Sequence, residues 1–235
     1  MKKILVTFLC AASAALLQAD SYNQTITAIY GGGNPDTGWA AVSGNGITLG
    51  LRAKNRDTGA TPNVAGVYSF ATGLNPANNR ALWNYEFSIN SGTPMLSNYD
   101  YFLGIDMDGS LGISYTYVNP FAAFDDNSFG NSGTLNGQGF EGPTATNSLL
   151  AGSNSVAQNS ENIIFLGLNP FLNATYNYEL FAVAKGAGVS GTHLTDVGIT
   201  VVVGSGGSAV PDSGTSAILL SAGLFGLGLL RRKLG

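Results

Sequence analysis

The acidic side chains are the first candidates for chemistry, because calcium binding and glycoside hydrolysis both need carboxylates at set spacings. In the stretch "DMDGS", Asp106 and Asp108 lie two residues apart and precede Gly109. Alternate acids on a loop can share one Ca²⁺, and the Asp-Asp-Asn run at 125–127 offers further oxygen ligands. The same pattern suits a hairpin turn whose Asp side chains accept hydrogen bonds from their own backbone. The full EF-hand pattern is absent from the sequence. We therefore expect no cofactor and keep calcium as the alternative.

A secreted hydrolase is one alternative for the function. Glu86, Glu141, Glu161 and Glu179 supply carboxylates, but Glu86 is predicted to lie on a solvated face of its strand. His193 is the only histidine in the sequence, and the region between the two termini contains no Gly-x-Ser-x-Gly motif. One histidine without a cysteine in the same region also argues against a zinc site. We predict that the protein is not an enzyme.

A carbohydrate-binding module is the stronger alternative, because β-sandwiches often bind sugars through exposed aromatic rings. Trp39 follows a Gly-rich loop, which predicts an exposed indole. Tyr99, Tyr101, Tyr115 and Tyr117 flank the "DMDGS" turn. The opposing interpretation is that these aromatic rings fill the core or form a cross-strand ladder.

Period-two alternation is the dominant signal in the chain, and it predicts about nine strands. The clearest run is "RALWNYEFSIN", with Ala81, Trp83, Tyr85, Phe87 and Ile89 on one face and Asn84, Glu86 and Ser88 on the other. "GITLGLRAKNR" places Ile47, Leu49, Leu51 and Ala53 on one face, with Arg52, Lys54 and Arg56 partly on the other. The predicted strands are 22–30, 46–56, 64–72, 80–90, 99–106, 111–118, 161–168, 175–185 and 196–204.

Many short strands separated by turn signals predict an all-β fold, a single β-sandwich or jelly-roll-like domain over 20–203. The gap between 119 and 161 is too long for a loop without structure, so we expect a short strand or a helical turn near "TATNSLLA". Residues 20–210 contain five basic and 13 acidic side chains, a formal net charge of −8. No basic stripe is available to contact phosphates, which excludes nucleic acid as a predicted partner.

The N-terminus has the features of a signal peptide. Lys2 and Lys3 precede the apolar run from Ile4 to Leu17, and a small residue, Ala19, ends the segment before Asp20. Residues 1–19 are therefore predicted to be removed by signal peptidase. The single cysteine, Cys10, lies in this segment, so the exported body must be stable without disulfide bonds.

The C-terminus has three consecutive parts. "VPDSG" at Val210, Pro211, Asp212, Ser213 and Gly214 follows a Gly/Ser linker at 204–209. Residues 215–230 carry no charge, and a helix of that length spans about 24 Å, slightly short of the roughly 30 Å hydrocarbon core. The cluster Arg231, Arg232 and Lys233 can extend outward and would stay on the cytoplasmic side. The tail is predicted to hold the body in the periplasm beside the inner membrane.

The order of motif, apolar helix and basic cluster over 210–235 resembles the PEP-CTERM class of sorting signals, in particular its VPDSG-CTERM variant. The resemblance implies recognition by an exosortase, a multi-spanning membrane enzyme, and a source among Gram-negative bacteria that make exopolysaccharide. Asp212-Ser213-Gly214 stands where most members of the class have Glu-Pro. The segments "ALWNYEFSIN", "FLGIDMDGS", "DDNSFGN" and "VAQNSENIIF" resemble segments of secreted PEP-CTERM proteins whose bodies have no assigned activity.

These observations predict a non-enzymatic exported protein of the cell surface or extracellular matrix. An exosortase would process the tail after transient insertion in the inner membrane, and the body would be structural or adhesive near exopolysaccharide. A carbohydrate-binding module and a secreted hydrolase are the alternatives. A tail that stays uncut as a permanent anchor is a further one.

Overall fold

The computed structural model describes residues 20–208, which are dominated by β-strands and form two sheets. The all-β prediction is confirmed. In chain order the strands are β1 (Ser21–Gln24), β2 (Trp39–Gly44), β3 (Ile47–Asn55), β4 (Asn63–Val64), β5 (Val67–Phe70), β6 (Leu74–Asn75), β7 (Arg80–Ala81), β8 (Trp83–Asn90), β9 (Tyr99–Asp106), β10 (Tyr115–Val118), β11 (Ser128–Gly130), β12 (Phe140–Glu141), β13 (Val156–Asn162), β14 (Ala174–Ala184) and β15 (His193–Val203).

Two short α-helices, α1 (Pro120–Ala123) and α2 (Asn147–Ala151), lie in the long connection between β10 and β13. Three 3₁₀ turns cover Leu96–Asn98, Thr144–Thr146 and Ile163–Leu166. The helical turn predicted near "TATNSLLA" is therefore confirmed. Among residues 20–208, no helix is both long and apolar enough to cross a membrane.

The first sheet, called sheet A, has the strand order β1-β2-β3-β8-β13-β11-β12. The second, sheet B, has the order β10-β9-β14-β15-β5-β4, and β6 and β7 form a separate pair. The pairing of β15 with β5 is parallel, whereas the other pairs are antiparallel. Alternation within single strands cannot show such a parallel contact.

The core lies between the two sheets and contains the alternating residues that the sequence assigned to inner faces. Trp83 of β8 stacks on Phe70 of β5 with ring centroids 5.5 Å apart, and Tyr85 stacks on Tyr178 of β14 at 4.7 Å. These contacts join the sheets. Complete burial of a large apolar side chain contributes roughly 1.5–3 kcal/mol, so the core can stabilise a body without disulfide bonds.

Several predicted strand bounds were wrong. The first strand ends at Gln24, and residues 25–38 cross the outer face of sheet A without strand structure. "ENIIFLGL" contains the end of β13 and a 3₁₀ turn, since Asn162 caps the turn by accepting a hydrogen bond from the Ile164 amide. Only the second half of "LGISYTYV" is a strand, and Leu111 and Ile113 are exposed.

Strand β2 was not predicted, although the sequence contains its turn. Asn45 and Gly46 join β2 to β3, and both have positive φ, 52° and 79°. An Asn-Gly pair of this kind is the strongest short-range signal for a hairpin. The weak alternation of "WAAVSG" concealed the strand that precedes it.

Candidate functional site

Residues 25–38 form a strap over the outer face of sheet A. Arg52 of β3 donates from Nη1 to the carbonyl oxygens of Pro35 and Thr37, at 2.6 and 2.7 Å. Gln158 of β13 donates to the Thr27 carbonyl and accepts from the Ile29 amide, at 2.9 and 2.8 Å. Two sheet side chains therefore satisfy strap backbone groups that have no strand partner.

Trp39 packs beneath this strap with Ala28 and Tyr30, and its side chain is fully buried. The Arg52 guanidinium lies 4.2 Å from the centre of the indole ring, a cation–π contact. The prediction that Trp39 is exposed was therefore wrong. The Gly-rich loop before it folds back over the sheet and covers the ring.

A buried ion cluster lies under the strap, centred on Glu86 of β8. One carboxylate oxygen, Oε2, accepts hydrogen bonds from Arg52 Nε at 2.5 Å and from the Tyr30 hydroxyl. The other, Oε1, accepts a hydrogen bond from Ser160 Oγ at 2.7 Å and forms an ion pair with Lys54 Nζ at 3.1 Å. The predicted solvated position of Glu86 was wrong, because its side chain is completely buried. Three hydrogen bonds and the Lys54 ion pair hold it as a structural counter-ion, with both carboxylate oxygens engaged.

The cluster shifts the pKa values of Arg52 and Tyr30. Burial, the largest single cause, would lower the pKa of Arg52, but the charges and hydrogen bonds of Glu86 and Tyr30 together outweigh burial and raise the pKa above its ordinary value. Burial, with Glu86 second, raises the pKa of Tyr30 well above its usual range, so the phenol remains a donor. Arg52 and Lys54 both pair with the single carboxylate of Glu86, so the cluster carries one excess positive charge.

A polar cleft of about 560 Å³ opens beside the cluster and is open to solvent. Lys54 and Tyr30 connect the two, because both belong to the cluster and line the cleft. Amides, carboxylates and one further cation supply most of the remaining lining, in a set that includes Asn34, Asn78, Asn84, Asn159, Arg56, Asp57, Asp126 and Glu141. Such a wall can donate and accept many hydrogen bonds but offers little apolar surface.

Glu161 lies at the end of β13, near the acids of this cleft. Burial, followed by the charges of Asp126 and Asp125, raises the pKa of its carboxyl to about 7. A carboxylic acid with a pKa near 7 can transfer protons at neutral pH, so Glu161 is the proton-transfer candidate for the hydrolase alternative. The sequence could not indicate this, because the shift arises from burial by other strands.

The tyrosines proposed for sugar binding do not share one surface. Tyr101 lies in the core, whereas Tyr115 and Tyr117 lie on the outer face of sheet B, where their rings pack 5.6 Å apart. Tyr117 is 41% exposed and Tyr99 is partly buried against the core. The core interpretation therefore holds for Tyr101 and fails for Tyr117.

The "DMDGS" stretch begins the connection between β9 and β10, which form the expected hairpin. Asp106 is buried and accepts hydrogen bonds from the Asp108 amide at 3.4 Å and from Asn177 Nδ2 at 3.2 Å. Asp108 accepts from the Ser110 amide at 2.8 Å. These are the bonds of a turn capped by its own side chains, the interpretation that the sequence left beside calcium.

A group of three side chains that could bind a metal ion lies on the outer face of sheet B. It consists of Glu179, His193 and Asp196, whose ligand atoms lie within 4.8 Å of one another. The sequence supplied two of these residues as separate candidates for hydrolysis. It did not bring them together, since their contact depends on the register between β14 and β15.

The predicted linker is hydrogen-bonded to the domain over its described part. Gly204 donates to the Phe70 carbonyl at 2.8 Å, and Ser205 donates to Asn173 Oδ1 at 3.1 Å. The sorting motif Val210–Gly214, the predicted membrane helix 215–230 and the basic cluster Arg231–Lys233 lie outside the described residues. The predicted signal peptide 1–19 lies outside them as well.

Comparison with known protein families identifies one motif, in the C-terminal tail. Residues 209–234 match the VPDSG-CTERM motif, a sorting signal of the PEP-CTERM type. The motif implies an exported protein. No curated protein and no solved structure shows significant similarity to the chain.

Proposed function

We propose that the protein is a non-enzymatic surface or extracellular-matrix protein that an exosortase processes at its C-terminal tail. The single observation that carries this proposal is the match of residues 209–234 to the VPDSG-CTERM motif. The tail would place the body on the periplasmic side of the inner membrane, and processing would then pass the body to the cell surface or the medium. The body, residues 20–208, is compatible with a structural or adhesive role because it contains no cysteine and has an extensive apolar core.

Replacement of all five residues Val210–Gly214 by alanine tests the processing step. The expected result is accumulation of the unprocessed chain in the inner membrane and loss of the body from the surface and medium. The matched control replaces Ser205 and Ser208 by alanine, which alters the preceding stretch but keeps the motif. Normal delivery of the motif variant would contradict the proposal.

A second candidate function is carbohydrate binding at the polar cleft of sheet A. The specific observation in its favour is the mixture of donors and acceptors on the cleft wall. Sugar hydroxyls both donate and accept, so they can donate to Asp57 or Asp126 while they accept from Lys54 or Arg56. Hydrogen bonds to charged groups are about twice as strong as those between neutral groups. A ligand without hydroxyl groups would leave this wall unsatisfied.

The buried cluster under the strap supports this candidate by fixing the position of one donor. Lys54 Nζ donates to Asn34 Oδ1 at 2.5 Å and forms an ion pair with Glu86 Oε1 at 3.1 Å. An ammonium group has three N–H donors, so the bond to Asn34 leaves donor capacity for a ligand in the cleft that Lys54 lines. A side chain held in this way loses little conformational freedom on binding.

Binding of the purified native protein to a glycan array, followed by titration of the best glycan, tests the candidate. The double variant Arg56→Ala, Asn78→Ala removes a cation and an amide from the cleft and should weaken binding by roughly 1–3 kcal/mol. The matched control, Lys185→Ala with Asn98→Ala, removes the same groups from exposed positions away from the cleft. Equal binding by the two double variants would contradict a glycan site in this cleft.

A further inference from the structure

We propose that Glu179, His193 and Asp196 bind one divalent transition-metal ion, with Zn²⁺ as the favoured ion, on the outer face of sheet B. The site lies on the sheet opposite to that of the polar cleft and does not depend on the proposed function. It combines one imidazole and two carboxylates from adjacent strands.

The register between β14 and β15 builds the site. Glu179 pairs with Gly198 and Phe181 pairs with Asp196, so the two acids are diagonal neighbours on one face of the sheet. A bulge between Ala182 and Val183 shifts the register and places His193 opposite Val183. Bulges of this kind redirect side chains and are common beside functional sites. The three ligand atoms consequently lie within 4.8 Å of one another.

Two side chains outside the triad position its members. The Tyr117 hydroxyl donates a hydrogen bond to Glu179 Oε2 at 3.0 Å. The Phe181 ring stacks on the His193 imidazole with centroids 3.9 Å apart and planes 14° apart, which restricts rotation of the imidazole. Groups that orient metal ligands in this way commonly change metal affinity about 10–100-fold when they are removed. Tyr117 and Phe181 are therefore positioning residues of the site.

Space for the ion and its water ligands lies beside Glu179. Its partner on β15 is Gly198, and a Cβ atom built there would meet nothing closer than the Tyr178 carbonyl oxygen at 3.6 Å. Its partner on β9, Gly104, is instead covered by the Tyr115 and Tyr117 rings. The carboxylate thus stands between a closed aromatic side and an open side over Gly198.

The charge of this surface also favours a cation. Within residues 20–208, the ion pairs made by Lys and Arg involve Glu86 and Asp100, and none reaches Glu179 or Asp196. Within the triad, His193 Nδ1 lies 4.0 Å from Asp196 Oδ1. Among residues 20–208, Glu179 and Asp196 have no other cationic partner. A divalent ion would supply the missing positive charge.

The ligand types select the ion. One histidine without a cysteine argued against zinc from the sequence, but here two carboxylates supply the remaining protein ligands. Ca²⁺ binds oxygen ligands, whereas Zn²⁺ accepts imidazole nitrogen together with carboxylate oxygen. Zinc–ligand distances of about 2.0–2.1 Å place tetrahedral ligands roughly 3.3 Å apart, so the exposed side chains must close by about 1–1.5 Å. A rotamer change of Asp196, whose side chain is 54% exposed, can bring its carboxylate toward the fixed imidazole and supply much of that movement. Three protein ligands leave a fourth position for water.

The single histidine makes the test specific, because every imidazole signal of the chain belongs to His193. The native protein, purified without a polyhistidine tag, would be titrated with Zn²⁺ and followed by NMR of the histidine ring and by calorimetry. We expect one ion per chain and a saturable shift of both ring carbons. Glu179→Gln and Asp196→Asn should each weaken binding at least 10-fold, and His193→Gln should remove the calorimetric signal. Tyr117→Phe should weaken binding while all three ligands remain.

Asp108→Asn is the matched control, because it removes an exposed acid outside the triad. Its affinity for Zn²⁺ should equal that of the native protein. Thermal unfolding of each variant without metal shows whether the fold is intact, and substitutions at these accessible positions should change it little. An unshifted His193 ring at saturating Zn²⁺ would overturn the proposal, as would equal loss of affinity in the Asp108→Asn variant.

Discussion

The outer faces of the two sheets solve the problem of charged side chains in opposite ways. On sheet A, the strap 25–38 covers Arg52, Lys54 and Glu86, and the three charges satisfy one another and the strap backbone. On sheet B, Glu179, His193 and Asp196 remain accessible and lack a Lys or Arg partner within the described residues. On the covered face the charged side chains stabilise the fold by pairing with one another, whereas on the uncovered face they remain available to a ligand.

The two faces should also differ in how much their charged side chains contribute to the free energy of unfolding. Charges removed from water are costly unless they are paired, so the sheet A cluster holds the strap only as a complete set. Charges on sheet B are screened by solvent and can change at little cost. Substitutions on the two faces should therefore differ in their effect on the free energy of unfolding. Glu86 and Asp100 represent the two outer faces, and Glu161, whose partner Tyr85 faces the core, is an intermediate case.

Glu86→Gln should have the largest effect. It leaves Arg52 and Lys54 as two buried cations without a counter-charge, and loss of one partner of a buried pair costs about 3–5 kcal/mol. Urea unfolding of the native and variant proteins measures this loss of unfolding free energy. Glu141→Gln makes the same chemical change at an exposed position and should stay within about 0.5 kcal/mol. Similar losses in both variants would contradict a structural role for the cluster.

Glu161→Gln should have the next largest effect, a change in how the free energy of unfolding depends on pH. Its folded-state pKa is raised to about 7 from 4.5, so the folded protein binds the proton more tightly than the unfolded chain. The contribution to stability is complete below pH 4.5 and is lost as the pH rises to about 7. It amounts to at most about 3 kcal/mol, and less with solvent screening. Unfolding free energies of the native protein and Glu161→Gln between pH 4 and 8 should converge at low pH. Parallel profiles would contradict the assigned titration.

Asp100→Asn should have the smallest effect and represents the exposed face. Asp100 accepts a hydrogen bond from Lys185 Nζ at 2.8 Å, but the lysine side chain is 62% exposed. Burial, the largest single cause, raises the pKa of Asp100, but the hydrogen bonds from Lys185 and the Gly186 amide, together with the charge of Lys185, outweigh burial and lower the pKa below its ordinary value. Its contribution is therefore present at neutral pH and lost as the pH falls through the folded-state pKa. Exposed pairs contribute about 0.2–1 kcal/mol, which thermal unfolding at pH 7 can resolve. A loss as large as that of Glu86→Gln would erase the distinction between the faces.

The inner faces of the sheets could be predicted from the sequence, whereas the outer face of sheet A could not. Alternation correctly assigned Trp83, Tyr85 and Phe87 to the core, because that pattern depends only on neighbouring positions in one strand. The same alternation predicted that Glu86 is solvated, whereas its side chain is buried. Its burial depends on residues 25–38, which return over the sheet from about 50 positions earlier in the chain.

The candidate sites show the same limit. Trp39 was expected to be exposed from its local sequence, and the strap buried it. Glu179 and His193 were recognised as reactive residue types, but their contact with Asp196 needs the exact pairing of β14 with β15 and its bulge. In contrast, the sorting tail was readable from the sequence, since its three parts are consecutive and need no tertiary contact.

The central claim is that the tail at 209–234 is a sorting signal and that the body is the exported product. The most direct test is the mass of the C-terminal peptide of the native protein, isolated from the membrane fraction and from the surface and medium. The account predicts that the chain from the surface and medium ends near Val210–Gly214 and lacks residues 215–235. A mature chain that retains Leu230 and the cluster Arg231–Lys233 would show a permanent anchor and would contradict processing by an exosortase.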